Sequence, residues 1–339
     1  MLEHGGRLRQ AAQLFGIPAD RWLDLSTGIH PHAYPVPPVD ASAWHRLPEA
    51  PLALEQAAMT YYGAPSLLAV AGTQAAIQAL PRLRAKRHGA ANVLLAAPSY
   101  QEHAYQWQRA GHRIMQASYA ELERHIDRAD VVVICNPNNP TGESIAREQL
   151  LTWQTALNAR DGWLIVDEAF GDMAPQHSLA AEAARPGLIV LKSLGKFFGL
   201  AGLRVGFVCA EDVLLAALNE DLGPWTVSGP AQQIAAAALL DSAWQQQNRA
   251  WLAREGQRLR ALLAAHGLRS AGTDLFQWCG DAHLDGQTEA FWRFMAERAI
   301  WIRRFEQAPF RPHGVRLGLP AGEAGWNQLT AALAAWSAR

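Results

Sequence analysis

Five short, almost wholly apolar runs in the middle of the chain constrain its fold more than any other feature. They are NVLLAAP (92–98), DVVVICNP (130–137), WLIVDEA (163–169), GLIVLKS (187–193) and LRVGFVC (203–209). Each has the length of a buried strand, and segments such as QEHAYQWQRAG and REQLLTWQTALNARDG repeat apolar residues at helical spacing before a glycine. This alternation predicts an α/β fold with a mainly parallel, doubly wound sheet.

The pattern changes along the chain in a way that suggests three parts. Residues 1–44 are rich in proline and loop-forming residues and predict an N-terminal arm that contributes to the active site. Residues 45–225 carry the strand and helix alternation and form the large domain. Residues 226–339 begin with a long helical stretch, followed by strand candidates at FQWC, IWIRRF and GVRLGL. We expect these to form a smaller C-terminal α+β domain.

Charge and cysteine content exclude several classes of function. The chain has 30 Lys and Arg against 31 Asp and Glu, a net charge of -1, so no overall field attracts nucleic acid or anionic lipid. Cys135, Cys209 and Cys279 are widely separated and have no zinc-ligand spacing with histidine, so we expect no metal site and a reducing environment. No signal peptide or membrane span is evident, and we expect a cytoplasmic protein.

A single lysine, Lys196, lies in the glycine-rich, apolar segment SLGKFFGLAGLRVG that follows the strand GLIVLK. Open α/β sheets bind ligands beyond the carboxyl ends of their strands. A desolvated lysine in such a place loses part of its positive charge and becomes a nucleophile. Two further strands end in polar residues, at NPNNPTG (136–142) and VDEAF (166–170).

The ordered set AGTQ, PSY, NPNNPTG, DEAF and SLGKFFGLAGLR resembles the class I and II aminotransferases, which bind pyridoxal 5'-phosphate in an aspartate-aminotransferase-like fold (fold type I). The resemblance implies that Lys196 holds the cofactor as a Schiff base and moves protons at the substrate Cα. It implies that Asp167 faces the pyridine nitrogen, that Asn139 donates to the ring hydroxyl and that Tyr100 stacks on the ring. Tyr100 could instead be an ordinary core aromatic.

The same resemblance implies where the cofactor phosphate binds. The backbone N–H groups of Gly72, Thr73 and Gln74 at a helix start would hold it, and Ser193 and Arg204 would complete the site.

The resemblance further implies substrate contacts. Arg316 in VRLGL would bind the substrate carboxylate as a fork, unless it only pairs with a protein carboxylate. His4 and either Arg303 or Arg304 would bind a substrate phosphate. Adjacent strand residues point to opposite faces, and we favour Arg303. His4 could also be a terminal residue without a role.

Two segments narrow the resemblance to one branch of the family. EHGGRL at the start and LDLSTGIHP at 23–31, together with Phe170 in DEAF, are similar to the threonine-phosphate decarboxylases of cobalamin biosynthesis. These enzymes convert L-threonine O-3-phosphate to (R)-1-amino-2-propanol O-2-phosphate and CO2. Glu168, beside Asp167, is expected to be structural or an accessory residue.

The chain departs from the wider family at two positions. Leu47 replaces a tyrosine that in many relatives reaches a neighbouring subunit's cofactor, and Gly195 replaces Ser or Thr, leaving more of the phosphate contact to Ser193 and Arg204. The alternatives are histidinol-phosphate aminotransferase, another small-molecule aminotransferase, or a noncatalytic sensor built on the same fold. We expect a homodimer, as is usual in the family.

Overall fold

The computed structural model describes residues 5–305 and 314–339. The helices are α1 (Leu8–Phe15), α2 (Ser42–His45), α3 (Leu52–Tyr62), α4 (Thr73–His88), α5 (Gln101–Arg109), α6 (Arg147–Asn158), α7 (Asp212–Leu222), α8 (Gly229–Leu240), α9 (Ser242–Ala265), α10 (Thr288–Ala296) and α11 (Glu323–Ser337). The strands are β1 (Leu23–Asp24), β2 (Leu67–Val70), β3 (Asn92–Ala96), β4 (Arg113–Ala117), β5 (Val131–Cys135), β6 (Trp163–Asp167), β7 (Leu188–Ser193), β8 (Gly206–Cys209), β9 (Ala271–Thr273), β10 (Phe276–Gly280), β11 (Ile300–Trp301), β12 (Arg303–Phe305) and β13 (Gly314–Gly318).

The chain divides into two compact units. One, called the sheet unit here, comprises Ala33–Asn139 and Glu143–Gln246. The other, called the terminal unit, comprises Met1–His32, Pro140–Gly142 and Gln247–Arg339. The division into 1–44, 45–225 and 226–339 inferred from sequence stays a prediction about domains.

The sheet unit is built on a seven-stranded sheet in the order β2-β8-β7-β6-β5-β3-β4. Strand β8 is antiparallel to both neighbours, and the pairs from β7 to β4 are parallel. Strands β5 and β6 are buried at every residue because helices cover both faces of such a sheet. The predicted α/β fold with a mainly parallel sheet is confirmed, and each of the five apolar runs contains a strand.

The carboxyl ends of the parallel strands bring chemically active residues to one edge of this sheet. Strand β6 ends at Asp167, β7 ends at Ser193, and β5 ends at Cys135. Strand β2 runs in the same direction, and its last residue, Val70, pairs with Gly206 at the start of β8. The start of α4 at Thr73 and the segment around Arg204 therefore belong to the same edge.

The terminal unit contains a four-stranded antiparallel sheet in the order β12-β13-β10-β9. The predicted strands FQWC, IWIRRF and GVRLGL lie in β10, in β11 with β12, and in β13. Strand β1 near the N-terminus pairs in parallel with β11. Among the described residues, no helix is long and apolar enough to cross a membrane.

Candidate active site

The start of helix α4 is shaped to receive an anion. Gly72 precedes the first helical residue with φ 71° and ψ 159°, a conformation almost restricted to glycine. A Cβ on Gly72 would lie 2.6 Å from Nη2 of Arg204, so the guanidinium rests directly against this backbone. A Cβ on Gly206 would lie 2.7 Å from the backbone nitrogen of Thr73. The N–H of Gly72 donates to the carbonyl of Val70 at 2.7 Å, and the N–H groups of the first helical turn that follow it, beside an exposed arginine, attract negative charge.

Ser193 and Arg204 have the local geometry that such a site requires. Arg204 adopts a left-handed backbone conformation, with φ 57° and ψ 49°, and its Nη1 donates to the carbonyl of Ala201 at 3.2 Å. Ser193 ends β7, and its Oγ accepts from the N–H of Gly195 at 3.2 Å. The hydroxyl hydrogen of Ser193 thereby stays available to donate to a ligand. Gly195, which replaces the Ser or Thr of many relatives, thus contributes its backbone N–H, which orients the hydroxyl of Ser193.

Asp167 is buried at the end of β6 beside a histidine that sequence reasoning missed. Its Oδ2 accepts from Nε2 of His103 at 2.9 Å, and its Oδ1 accepts from the N–H of Ala169 at 3.0 Å. Both side chains are at most 5% exposed. Burial by itself lowers the pKa of His103, but hydrogen bonds and negative charge from Asp167 and Cys135 raise it to about 10. His103 is therefore an imidazolium that supports a carboxylate.

His103, Cys135 and Asp167 also have ligand atoms within 4.8 Å of one another, as a metal site would. Nε2 of His103 is already hydrogen-bonded to Asp167. This contact favours a role for His103 in supporting Asp167, which would in turn contact a ligand, over a role as a metal ligand. A protonated ring nitrogen is the partner that such a paired carboxylate would hold.

Tyr100 and Gln74 are joined across the same edge of the sheet. The hydroxyl of Tyr100 donates to Oε1 of Gln74 at 3.3 Å, and Nε2 of Gln74 donates to Oε2 of Glu102 at 3.0 Å. Burial, followed by the charges of Glu102 and Asp167, raises the pKa of Tyr100, so its hydroxyl keeps its proton. The ring centroid of Tyr100 lies 6.1 Å from that of His103. Tyr100 is thus held near Asp167 by two sets of contacts.

Lys196 and Asn139 lie in loops that leave this edge. Nζ of Lys196 lies 5.4 Å from the centroid of the buried Phe170 ring, in the segment that follows Asp167. Asn139 follows β5 and is half-buried, and its neighbour Asn138 donates from Nδ2 to the carbonyl of Pro98 at 2.8 Å. The sheet unit thus assembles Gly72, Arg204, Tyr100, Asp167 and Lys196 from separate segments of the chain.

A second group of predicted residues lies in the terminal unit. Arg316 on β13 and Arg303 on β12 are direct cross-strand partners, so both belong to one face of the sheet. Arg316 is 4% exposed and donates from Nη2 to the carbonyl of Ser26 at 2.7 Å. Burial, and then the charge of Arg303, lowers the pKa of Arg316 to about 9, which leaves it charged at neutral pH. Two cations thus share one face.

Arg304 is directed to the other face of β12. It forms an ion pair with Glu289 and lies 4.2 Å from the Trp292 ring centroid.

Gly5 and Gly6, the described glycines of EHGGRL, meet the segment LDLSTGIHP in this unit. Ser26 Oγ accepts from the N–H of Gly6 at 2.8 Å and donates to Oδ1 of Asp24 at 2.6 Å. A Cβ on Gly5 would lie 2.5 Å from the carbonyl of Ser26, the oxygen that binds Arg316. His4 lies outside the described residues.

Comparison with known proteins identifies the class. The family model for aminotransferases of class I and II matches residues 39–329, and the chain belongs to that family. The chain is 52% identical to threonine-phosphate decarboxylase of Pseudomonas aeruginosa over 98% of this chain and 97% of that protein. It is 40% identical to threonine-phosphate decarboxylase of a Sinorhizobium species, with 98% and 97% coverage.

Solved structures share the fold. Histidinol-phosphate aminotransferase of Sinorhizobium meliloti in complex with pyridoxal-5'-phosphate superposes with a TM-score of 0.80 at 21% identity, over 98% of this chain and 94% of that one. The predicted aspartate-aminotransferase-like fold and family are therefore confirmed.

Proposed function

We propose that this chain binds pyridoxal 5'-phosphate and decarboxylates L-threonine O-3-phosphate to (R)-1-amino-2-propanol O-2-phosphate and CO2. The family membership and the full-length similarity to threonine-phosphate decarboxylases support the proposal. The cofactor, when bound, supplies an electron sink for the pair of electrons that CO2 leaves on the substrate Cα. The protein residues bind, orient and transfer protons.

The phosphate of the cofactor fits the start of α4. Backbone N–H groups of Thr73 and Gln74 would donate to it, whereas the N–H of Gly72, expected from sequence to do the same, donates to the carbonyl of Val70 at 2.7 Å. The hydroxyl of Ser193 and the guanidinium of Arg204 would add charge-assisted hydrogen bonds. The close approach of Arg204 to Gly72 supports this assignment, because it places a cation beside the first N–H groups of helix α4.

The ring fits between Tyr100 and the end of β6. Asp167 would accept from the protonated ring nitrogen, and His103 behind it would supply the compensating positive charge. Tyr100 would cover one ring face, and Asn139 would donate to the ring oxygen. Lys196 would hold the cofactor covalently and return a proton to the substrate Cα after CO2 has left.

The observation that carries the substrate assignment is the cross-strand pair Arg303 and Arg316. Two guanidinium groups on one face suit a small substrate with two anionic groups, and free threonine has only one. We propose that Arg316 binds the carboxylate and that Arg303 binds the phosphate, with His4 as a further phosphate ligand. A decarboxylase must hold the Cα–carboxylate bond perpendicular to the cofactor ring, and two fixed anchors restrict rotation about Cα.

A comparison of three substrates tests the proposal. The cofactor-loaded protein is incubated with L-threonine O-3-phosphate, with L-threonine, and with histidinol phosphate plus 2-oxoglutarate. We expect CO2 release from the phosphorylated amino acid at a kcat/KM at least about 100-fold above that for L-threonine, since the lost phosphate contacts exceed about 2.7 kcal/mol. Amino transfer from histidinol phosphate without CO2 release would instead assign the chain to histidinol-phosphate aminotransferase.

We further propose that the enzyme acts in cobalamin biosynthesis, in the cytoplasm and as a homodimer. Large apolar side chains of the sheet unit support the last point, because Trp44, Leu47, Leu52 and Trp225 are each at least 60% exposed. Leu47 is the position where many relatives carry a tyrosine that reaches the neighbouring subunit. Size-exclusion chromatography with light scattering should give twice the chain mass of 37.1 kDa, whereas a mass of 37.1 kDa would exclude the dimer.

A further inference from the structure

A lysine that the proposed chemistry does not use lies in the interior of the sheet unit. Lys192 is the residue before Ser193 on β7, and its side chain is 1% exposed. Its Nζ lies 2.6 Å from Oε2 of Glu168 and 3.7 Å from Oδ1 of Asp172, and both of those side chains are 2% exposed. Glu168 is the residue after Asp167. The ion pair therefore joins the immediate neighbours of two proposed cofactor contacts.

The ion pair is costly to bury. Burial by itself lowers the pKa of Lys192, but the charges of Glu168 and Asp172 outweigh it and raise the pKa above its ordinary value. Lys192 is therefore an ammonium group at neutral pH. Replacing a buried ion pair with well-packed apolar residues is often neutral or stabilising, so stability alone is a weak reason for this arrangement.

Contacts of Glu168 fix the backbone beyond β6. Its Oε1 accepts from the N–H of Leu179 at 2.7 Å, and its Oε2 accepts from the hydroxyl of Ser178 at 2.5 Å. Its own N–H donates to the carbonyl of Leu191 on β7 at 2.9 Å. One side chain thus connects the segment after Asp167 to β7 and to a loop ten residues further along the chain.

Contacts of Lys192 fix the backbone of β7 from the other side. Its Nζ lies 4.8 Å from the ring centroid of Tyr62, the last residue of α3. A Cβ on Gly206 would lie 2.9 Å from the carbonyl of Lys192 and 2.7 Å from the N–H of Thr73. The backbone of Lys192 is therefore packed close to the helix start that would bind the cofactor phosphate.

We propose that the Lys192–Glu168 ion pair is a positioning element that sets the spacing between the ends of β6 and β7. The inference rests on the proposed cofactor site. Asp167 is the last residue of β6, whereas Ser193 is the last residue of β7 and Lys196 lies three residues beyond it. A change in the spacing of the two strand ends would therefore move Asp167, which would face the cofactor ring, relative to Lys196, which would hold the cofactor covalently. Neither Lys192 nor Glu168 touches the reacting atoms. An ion pair has a defined length and direction, which apolar packing lacks.

The test uses a double variant that removes both charges while keeping side-chain length. Glu168→Gln and Lys192→Met are made singly and together, and Arg147→Met with Glu182→Gln serves as the control. Arg147 and Glu182 form a half-buried ion pair in the same unit, at 2.5 Å. The measurements are the free energy of unfolding, the Kd for pyridoxal phosphate, the pH midpoint of the cofactor's visible absorption band, kcat and KM.

We expect the double variant to be more stable than Lys192→Met, which leaves both Glu168 and Asp172 buried without the ammonium group that pairs with them. Its absorption midpoint should nevertheless shift by at least about 0.5 pH unit. Its kcat should fall at least about tenfold with KM changed less than about threefold, since misplacement by 1 Å costs up to about 100-fold. The control should change neither the midpoint nor kcat. A double variant with wild-type midpoint and kcat would overturn the proposal.

A second variant keeps the test decisive if the double variant does not fold. Glu168→Asp keeps a carboxylate but draws it back from Lys192 by one methylene group. We therefore expect the absorption midpoint to shift and kcat to fall in the same direction as in the double variant. An unchanged midpoint and kcat in a folded Glu168→Asp protein would also overturn the proposal. Failure of the wild type to bind pyridoxal phosphate would instead refute the proposed function, and the Kd measurement separates the two cases.

Discussion

Replacing Gly72 with alanine tests the anion-binding helix start, and the structure predicts two separate effects. Gly72 has φ 71° and ψ 159°, and alanine in that region costs about 1–3 kcal/mol of folding free energy. The new Cβ would also lie 2.6 Å from Nη2 of Arg204. The guanidinium must therefore move away from the proposed phosphate site.

Only the second effect changes cofactor affinity. Backbone strain is present with and without the cofactor, so it lowers the free energy of unfolding and leaves the Kd unchanged. Loss of the hydrogen bond from Arg204 to the phosphate costs about 1.5–3 kcal/mol, as hydrogen bonds to charged groups do. At about 1.4 kcal/mol for each factor of ten, the Kd for pyridoxal phosphate should rise about 10- to 150-fold.

The assay titrates the apoprotein with pyridoxal phosphate by visible absorption and measures stability by denaturant unfolding. Gly89→Ala is the matched control, because Gly89 directly follows the last residue of the same helix with φ 76° and ψ -167°, and a Cβ there meets nothing within 4 Å. The control should lose comparable stability and keep the wild-type Kd. If Gly72→Ala also keeps a Kd within about twofold of the wild type, the binding free energy has changed by less than about 0.4 kcal/mol. The cofactor phosphate would then not bind at the start of α4.

Three further predictions follow from the other predicted site residues. Lys196→Ala should remain folded and lose the visible band of the bound cofactor, whereas a retained band with full activity would show that another residue holds the cofactor. For His103, burial lowers the pKa and its contacts with Asp167 and Cys135 raise it to about 10, so its contribution to stability is complete below pH 6.5 and is lost as the pH rises through about 10. Denaturant unfolding of His103→Asn should accordingly show a shallower decline than the wild type between those pH values, and an equally steep decline would contradict the assignment. Arg303→Ala should raise KM for L-threonine O-3-phosphate at least about tenfold, for a charge-assisted contact of about 1.5 kcal/mol or more, while Arg304→Ala changes it less than about threefold. Equal effects of the two variants would place the substrate phosphate elsewhere.

The sheet could be predicted from sequence where strands are apolar throughout, and less well at its margins. Strand β4, at the edge of the sheet, has the sequence RIMQA and is only partly buried, so no apolar run marks it. Strand β2 has four residues and runs directly into the helix start at Thr73. The edge position of β4 and the short length of β2 both weaken the hydrophobic pattern from which a strand is predicted.

Candidate site residues could be proposed from sequence where a polar residue ends an apolar strand, as Asp167 and Ser193 do. His103 was missed because it lies within α5, and its burial depends on Asp167, which is 64 residues away in sequence. Its position three residues after Tyr100, the residue that precedes α5, was the available signal. Lys192 was also available as the one charge within the apolar run GLIVLKS. The opposite directions of Arg303 and Arg304 followed from strand periodicity, and the structure has this arrangement.

The most direct test of the central claim is to count CO2 molecules per active site with L-threonine O-3-phosphate as the sole substrate and no keto acid. The account predicts continued turnover, with CO2 and aminopropanol phosphate formed in equal amounts far beyond one per site. A single equivalent of keto acid per site without CO2 would contradict it, because that result identifies amino transfer.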